Sequence, residues 1–308
     1  MIGACAPIAP PNTAPEVPLE LSTYRTIKPE DNTESKTASE PSAKQTNETK
    51  YQRSWPDGTL NLSYHLYAGG FHAMTLNSRY EVNDNNYSTE ISIEPHGWIG
   101  KLIQWNGQYR ADGIIQDKND LRPITFTRSN AWGDEIKQTR LRYNKNGDLL
   151  ISKHVKLVDG EMINSYPHDI DKARADDTID ISSAIFNAIR HLERTGSCDE
   201  KSTVFDGNRI YNYITTEKGN VTIKASRYNI FSGSALACTI KIEPVHGFNE
   251  GDPAGFYRLQ EMGKKKGKLP QTWYGDHPEI PFKIPVRMTF HSDFGTVLAH
   301  LKSAEFRQ

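Results

Sequence analysis

The sequence predicts a mainly β fold: an antiparallel curved sheet, half-barrel or sandwich-like, with one packed helix and a disordered N-terminal tether. Three observations predict it. Short runs alternate apolar with polar residues, turn-forming pairs punctuate them, and the composition changes abruptly near residue 50.

Residues 1–50 hold seven of the 17 prolines, one glycine and a single aromatic residue, Tyr24. So few apolar side chains cannot offset an ordering cost of about 1–2 kcal/mol per residue, so this segment reads as a tether. Residues 51–308 read as one β-rich domain. Leu60, Leu62, Tyr64 and Leu66 recur at every second position, with Asn61, Ser63 and His65 between them, as a half-buried strand requires. Further strands are expected at Thr75–Val82, Tyr87–Ile93, Gly100–Trp105, Tyr109–Ile115, Ile124–Thr127, Thr139–Tyr143 and Leu149–Val155. Asn106-Gly107, Asn146-Gly147 and Asp159-Gly160 supply residues that tolerate positive φ in primed hairpin turns. Ile181, Ile185, Ala188, Ile189 and Leu192 then fall at helical spacing, with Asp180 as cap and Gly196 as stop. Strands resume at Ile210–Thr216, Val221–Tyr228, Leu236–Pro244, Pro285–His291 and Thr296–Phe306. Lys218-Gly219-Asn220 and Phe294-Gly295 are expected as hairpin tips.

Composition excludes several functions. The chain has 308 residues, 37 Lys+Arg against 38 Asp+Glu, and a mean hydropathy of -0.67. That balance leaves no basic footprint for nucleic acid, and there is no apolar run long enough for a transmembrane span. Cys5, Cys198 and Cys238 are too few and too scattered for a four-cysteine metal site. On spacing alone, Cys198 and Cys238 read either as small buried hydrophobes or as a disulfide, which would require an oxidising compartment. Ile2-Gly3-Ala4-Cys5 is similar to a bacterial lipoprotein processing site, making Cys5 a lipidation candidate. The basic and apolar stretches of a signal do not precede it, so the expectation is a start that lies upstream, or a trimmed chain.

The chain resembles the bacterial envelope family known as domain of unknown function 3108, in its α-proteobacterial form. The resemblance is carried by Tyr64-His-Leu-Tyr-Ala-Gly-Gly70, by Gly97-Trp98, Trp105 and Gly113, and by Asp180-Ile-Ser-Ser-Ala-Ile-Phe followed by Cys198. It continues through Val204-Phe-Asp-Gly-Asn-Arg-Ile-Tyr211, Ala237-Cys238-Thr-Ile-Lys-Ile-Glu-Pro244 with Gly247, Ile284-Pro-Val-Arg287 and Phe294-Gly-Thr-Val297. It spans roughly residues 58–306. It implies an exported β-rich protein with a Cys198–Cys238 disulfide, and no established activity.

No motif spells out a reaction. In Phe205, Asp206, Gly207, Arg209 and Tyr211 the Asp-Gly-Asn turn with its arginine reads as mechanical rather than catalytic. The ten histidines form no helical metal pair, no Gly-x-Ser-x-Gly elbow is present, and the aspartates at 169–180 lack calcium-loop spacing, so neither metal nor cofactor is expected. Gly263-Lys-Lys-Lys-Gly-Lys268 reads as a soluble loop, with contact to anionic headgroups as the alternative. The function expected is a non-enzymatic binding or scaffold module of the periplasm or lipid-anchored envelope. Its partners would be a lipid or other amphipathic ligand, or envelope proteins, the ligand seated in a groove between sheet and helix. A periplasmic hydrolase on an envelope polymer and a purely structural interaction protein are the alternatives.

Overall fold

Alternation builds the first strand as read. β1 (Gly58–Ala68) sends Leu60, Leu62, Tyr64 and Leu66 to the buried face and His65 and Tyr67 to the other. The computed structural model describes residues 55–98, 104–116, 120–166, 172–248, 255–292 and 295–308. The tether over 1–50, with Cys5, lies outside the described residues, as does Gly100–Ile103 of the strand expected at Gly100–Trp105.

After β1 come β2 (Phe71–Asn83), β3 (Asn86–Pro95), β4 (Trp105–Ile115), β5 (Leu121–Trp132), β6 (Glu135–Tyr143), β7 (Leu149–Val158) and β8 (Glu161–Tyr166). Helices α1 (Lys172–Ala175) and α2 (Ile181–Thr195) divide the chain. Then follow β9 (Glu200–Phe205), β10 (Ile210–Ile223), β11 (Gly233–His246), α3 (Gly255–Lys264), β12 (Gln271–His277), β13 (Ile280–Ser292) and β14 (Gly295–Arg307). All fourteen strands form one antiparallel sheet in the order β8-β7-β6-β5-β4-β3-β2-β1-β14-β13-β12-β11-β10-β9. Each half is a meander of hairpins. They join where β1 pairs β14 along its length, from Thr59↔Arg307 to Ala68↔Val297.

The sheet curls. Side chains of β4–β7 (Ala111, Phe126, Leu141, Leu149) pack with those of β9–β11 (Val204, Phe205, Tyr213, Ile242) in one apolar cluster. A second cluster joins β1–β3 to β11–β14 through Tyr64, Tyr80, Phe282 and Leu301. Helix α2 serves both clusters and touches strands of both halves: β3, β4 and β5, and also β9 and β13. Its Ala184, Phe186, Ala188, Ile189 and Leu192 are buried. Asp180 caps it by accepting from Ser183 N at 2.9 Å, and Gly196 closes it in the left-handed conformation.

Several local expectations are corrected. Asn106-Gly107 lies inside β4, because the chain stays paired with β5 through Gly107↔Asn130. Lys218-Gly219-Asn220 is not a hairpin tip. β10 runs on to Ile223 against β11, and the extra residue is absorbed as a bulge where Gly219 takes φ +88°. Helix α3 and strands β8, β9 and β12 fall where no element was expected. The buried Gln260 of α3 supplies β11 with the partner β12 does not reach, donating from Nε2 to Ile242 O at 2.9 Å and accepting from Ile242 N.

Candidate functional site

Cys198 and Cys238 form a disulfide across 40 residues of sequence. It ties the segment after α2 to β11 inside the core, where both cysteines are buried beside Ile189 and Leu192. Phe205, Asp206, Gly207, Arg209 and Tyr211 form the β9–β10 turn. Asp206 Oδ1 accepts from Asn208 N and Arg209 N, each at 2.9 Å, while Oδ2 accepts from Arg209 Nη2 at 2.9 Å. Arg128 of β5 approaches the same carboxylate at 3.9 Å. His154 Nε2 of β7 donates to Gly207 O at 2.8 Å, which fixes its tautomer. The turn is therefore a latch between the two halves of the sheet. A Cβ on Gly207 would meet His154 Cε1 at 2.5 Å and Thr139 Cγ2 at 2.6 Å, at φ +95°. Gly207→Ala should cost about 2 kcal/mol or more in urea unfolding, through strain and loss of the His154 bond.

Buried side chains and hydrogen bonds pack α2 against the sheet. Tyr87 OH and Ser183 Oγ share a hydrogen bond at 2.8 Å, and Ser183 Oγ donates to Asp180 Oδ2 at 2.6 Å, all three residues being buried. Burial pushes the Asp180 carboxyl up to about 6 despite its bonds to Ser183. A folded pKa above the unfolded value stabilises the fold fully below the unfolded pKa, near 4, and that stabilisation is lost as pH rises through about 6. Asp180→Asn keeps an acceptor for Ser183 N and should remove this part of the pH–stability curve. Asp180→Ala should cost about 1–2 kcal/mol at any pH. Thermal melts of both variants at pH 4 and 7 separate the two effects. A recess of about 390 Å³ lies beside Tyr87, lined by Glu81, Asn83, Asn86 and Asp112 together with Ile114 and Ile124.

The chemistry-bearing side chains that do converge lie on the face of the sheet away from the core. Register aligns them in one row across the strands: Trp273↔Arg287, Arg287↔His300, His300↔His65, His65↔Thr75 and Thr75↔Glu94. The Arg287 guanidinium sits 5.0 Å over the Trp273 ring. The imidazoles of His65, His72 and His96 stack with successive centroids 3.8 Å apart. Tyr67 lies 5.8 Å from His300 and 4.9 Å from Tyr228, which comes from the β10–β11 loop with Arg227 over its ring. At the end of the row, Phe71 and Trp98 pair edge-on at 6.1 Å and stay 57% and 66% exposed.

This face is electropositive. Partial burial, with Arg287 and Lys302 nearby, pushes His300 down to about 4. Burial with His65 and His96 does the same to His72, and burial with Lys302 lowers His65. Arg287 Nε, Thr289 Oγ1 and His300 Nδ1 are shielded from solvent without a hydrogen-bond partner. Among the described residues, no group of His, Cys, Asp and Glu is arranged to hold a metal ion.

The family model described as a protein of unknown function (DUF3108) matches residues 63–302. No curated protein matches the chain. Among solved structures, the crystal structure of a β-barrel-like protein of domain of unknown function DUF1849 from Brucella abortus is similar over 82% of this chain and 98% of its own length. The identity is 12% and the TM-score 0.42.

Proposed function

The chain belongs to the DUF3108 family, and from that premise we propose that it is an exported, non-enzymatic envelope protein that binds an amphipathic ligand on the outer face of β12, β13, β14, β1, β2 and β3. One observation carries the binding reading. Trp273, Tyr67 and Tyr228 place aromatic surface beside Arg287, Arg227 and Lys302, so apolar and cationic contacts are offered side by side. The buried Cys198–Cys238 bond supports the compartment, because such bonds persist where thiols are kept oxidised. No described helix is long and apolar enough to cross a membrane.

The test is intact mass spectrometry on the protein released gently from its native envelope, before and after reduction. The expected result is a two-hydrogen gain on reduction, a co-purifying amphipath and, if Cys5 is lipidated, the added acyl mass. Recovery in the cytosolic fraction with free thiols and no bound molecule would overturn the proposal.

A further inference from the structure

We infer that Arg287, His300 and Thr289, with Lys302 beside them, form a binding site for a phosphate group, and that this is the polar part of the ligand assigned above. The inference rests on that reading and makes it specific.

The first argument is an imbalance of charge. Among the described residues, Arg79 meets Glu81, Arg110 meets Glu90 and Asp112, Arg122 meets Asp177 and Arg307 meets Glu305, while Arg140 and Arg142 of β6 stand exposed to water. Arg287 has no ion pair or hydrogen bond among the described residues, and the ring of Trp273 is its one charge contact there. Yet burial lowers its basicity, as it does for a cation shielded from water without an anion. The groups around it deepen the imbalance. Lys302 of β14 and Arg227 of the β10–β11 loop are cations, while His65 of β1, His72 of β2 and His96 just after β3 are imidazoles. Glu94 of β3 stands at the far end of the row. A half-buried guanidinium in that company calls for an anion.

The second argument is the donor set. Arg287 Nε, Thr289 Oγ1 and His300 Nδ1 are three polar atoms on adjacent positions of β13 and β14, each cut off from water and each unbonded. Buried polar groups of this kind are satisfied in folded proteins by a partner or a ligand. A phosphate offers three oxygens to three donors, whereas a carboxylate offers two. Guanidinium and phosphate match in bidentate geometry.

The third argument concerns protons. His300 is neutral at pH 7, held so by burial and by Arg287 and Lys302. A phosphate placed against it offsets those cations and raises its pKa from about 4, so binding takes up a proton and affinity rises as pH falls from 6 to 5.

Titration calorimetry of the full chain with inorganic phosphate at low salt, at pH 5 and 6, where the phosphate stays a monoanion, tests the site. The expected result is tighter binding at pH 5, at least tenfold weaker binding for Arg287→Gln, partial rescue by Arg287→Lys, and loss of the pH dependence in His300→Gln. Near-UV circular dichroism of each variant confirms that it is folded. Equal phosphate affinity in wild type and folded Arg287→Gln would overturn the inference. Flotation with phosphatidylcholine vesicles containing phosphatidylglycerol separates the sources. Arg287-dependent flotation, competed by free phosphate, identifies a lipid headgroup; phosphate binding without flotation identifies a soluble phosphate compound. An uncharged alkyl glycoside separates the two proposals. If it quenches tryptophan fluorescence equally in wild type and Arg287→Gln while phosphate binds neither, the phosphate site falls and the amphipath reading stands. If neither probe binds, both fall.

Discussion

Replacing Cys198 and Cys238 together with serine is expected to lower stability by about 3–4 kcal/mol. The bond closes a loop across 40 residues, and a loop of that length restricts the unfolded chain by about this amount in the chain-entropy model. For a domain of this size each kcal/mol moves the melting temperature by roughly 2–4 °C, so a fall near 10 °C should be seen. The same fall should follow reduction of the wild type, and the double variant should be insensitive to reductant. A melting temperature unchanged by reduction would mean that the core between α2 and β11 holds without the bond. Stability that depends on oxidation would fit the oxidising compartment proposed above.

The second large effect is expected at Phe186. This ring is fully buried on α2 and stands 5.2 Å from Trp55, 5.2 Å from Tyr80 and 6.0 Å from Tyr87, with the Arg190 guanidinium 5.7 Å from its centroid. It is the point where the helix keys into the first half of the sheet. Phe186→Ala removes the ring and leaves a cavity between rigid neighbours, at a cost of about 3–5 kcal/mol. Because Trp55 loses its edge-on partner, its emission should shift to the red even in the folded variant. Trp132→Ala, at an exposed position, is the control and should stay within about 0.5 kcal/mol. Urea unfolding of both, compared at equal slope, checks the contrast.

The fold class was legible because its signals are local. Alternation in Leu60–Leu66, the helical spacing of Ile181 to Leu192 and the Asp159-Gly160 turn each need fewer than twenty residues to be seen. What escaped was non-local or ambiguous. Nothing near Thr59 announces that Arg307 is its partner, so the joining of the two halves was not readable. Lys218-Gly219-Asn220 offers the same positive φ to a bulge as to a turn, and only the pairing with β11 decides between them. Gln271–His277 carries Trp273 and Tyr274, yet its neighbourhood of lysine, glycine and proline outweighed two aromatics. The outer row escaped for a related reason. His65, Arg287 and His300 each sit on the polar phase of a separate strand and look solvated one at a time. Their convergence exists only once six strands are in register.

The strands at the middle of this sheet are the first and the last of the described strands, and that ordering fixes when the fold can be completed. A chain released N-terminus first can assemble β1–β8 as successive hairpins, each closing a short loop. The free edge of β1 must then wait until β14, some 240 residues later, has emerged. During that interval an unpaired strand edge faces solvent beside a half-formed core, the state in which β proteins associate wrongly. The thirteen residues of β14, Gly295–Arg307, are therefore the kinetic clasp of the domain. A chain ending before them holds two meanders with no strand to join them, however sound each half is on its own.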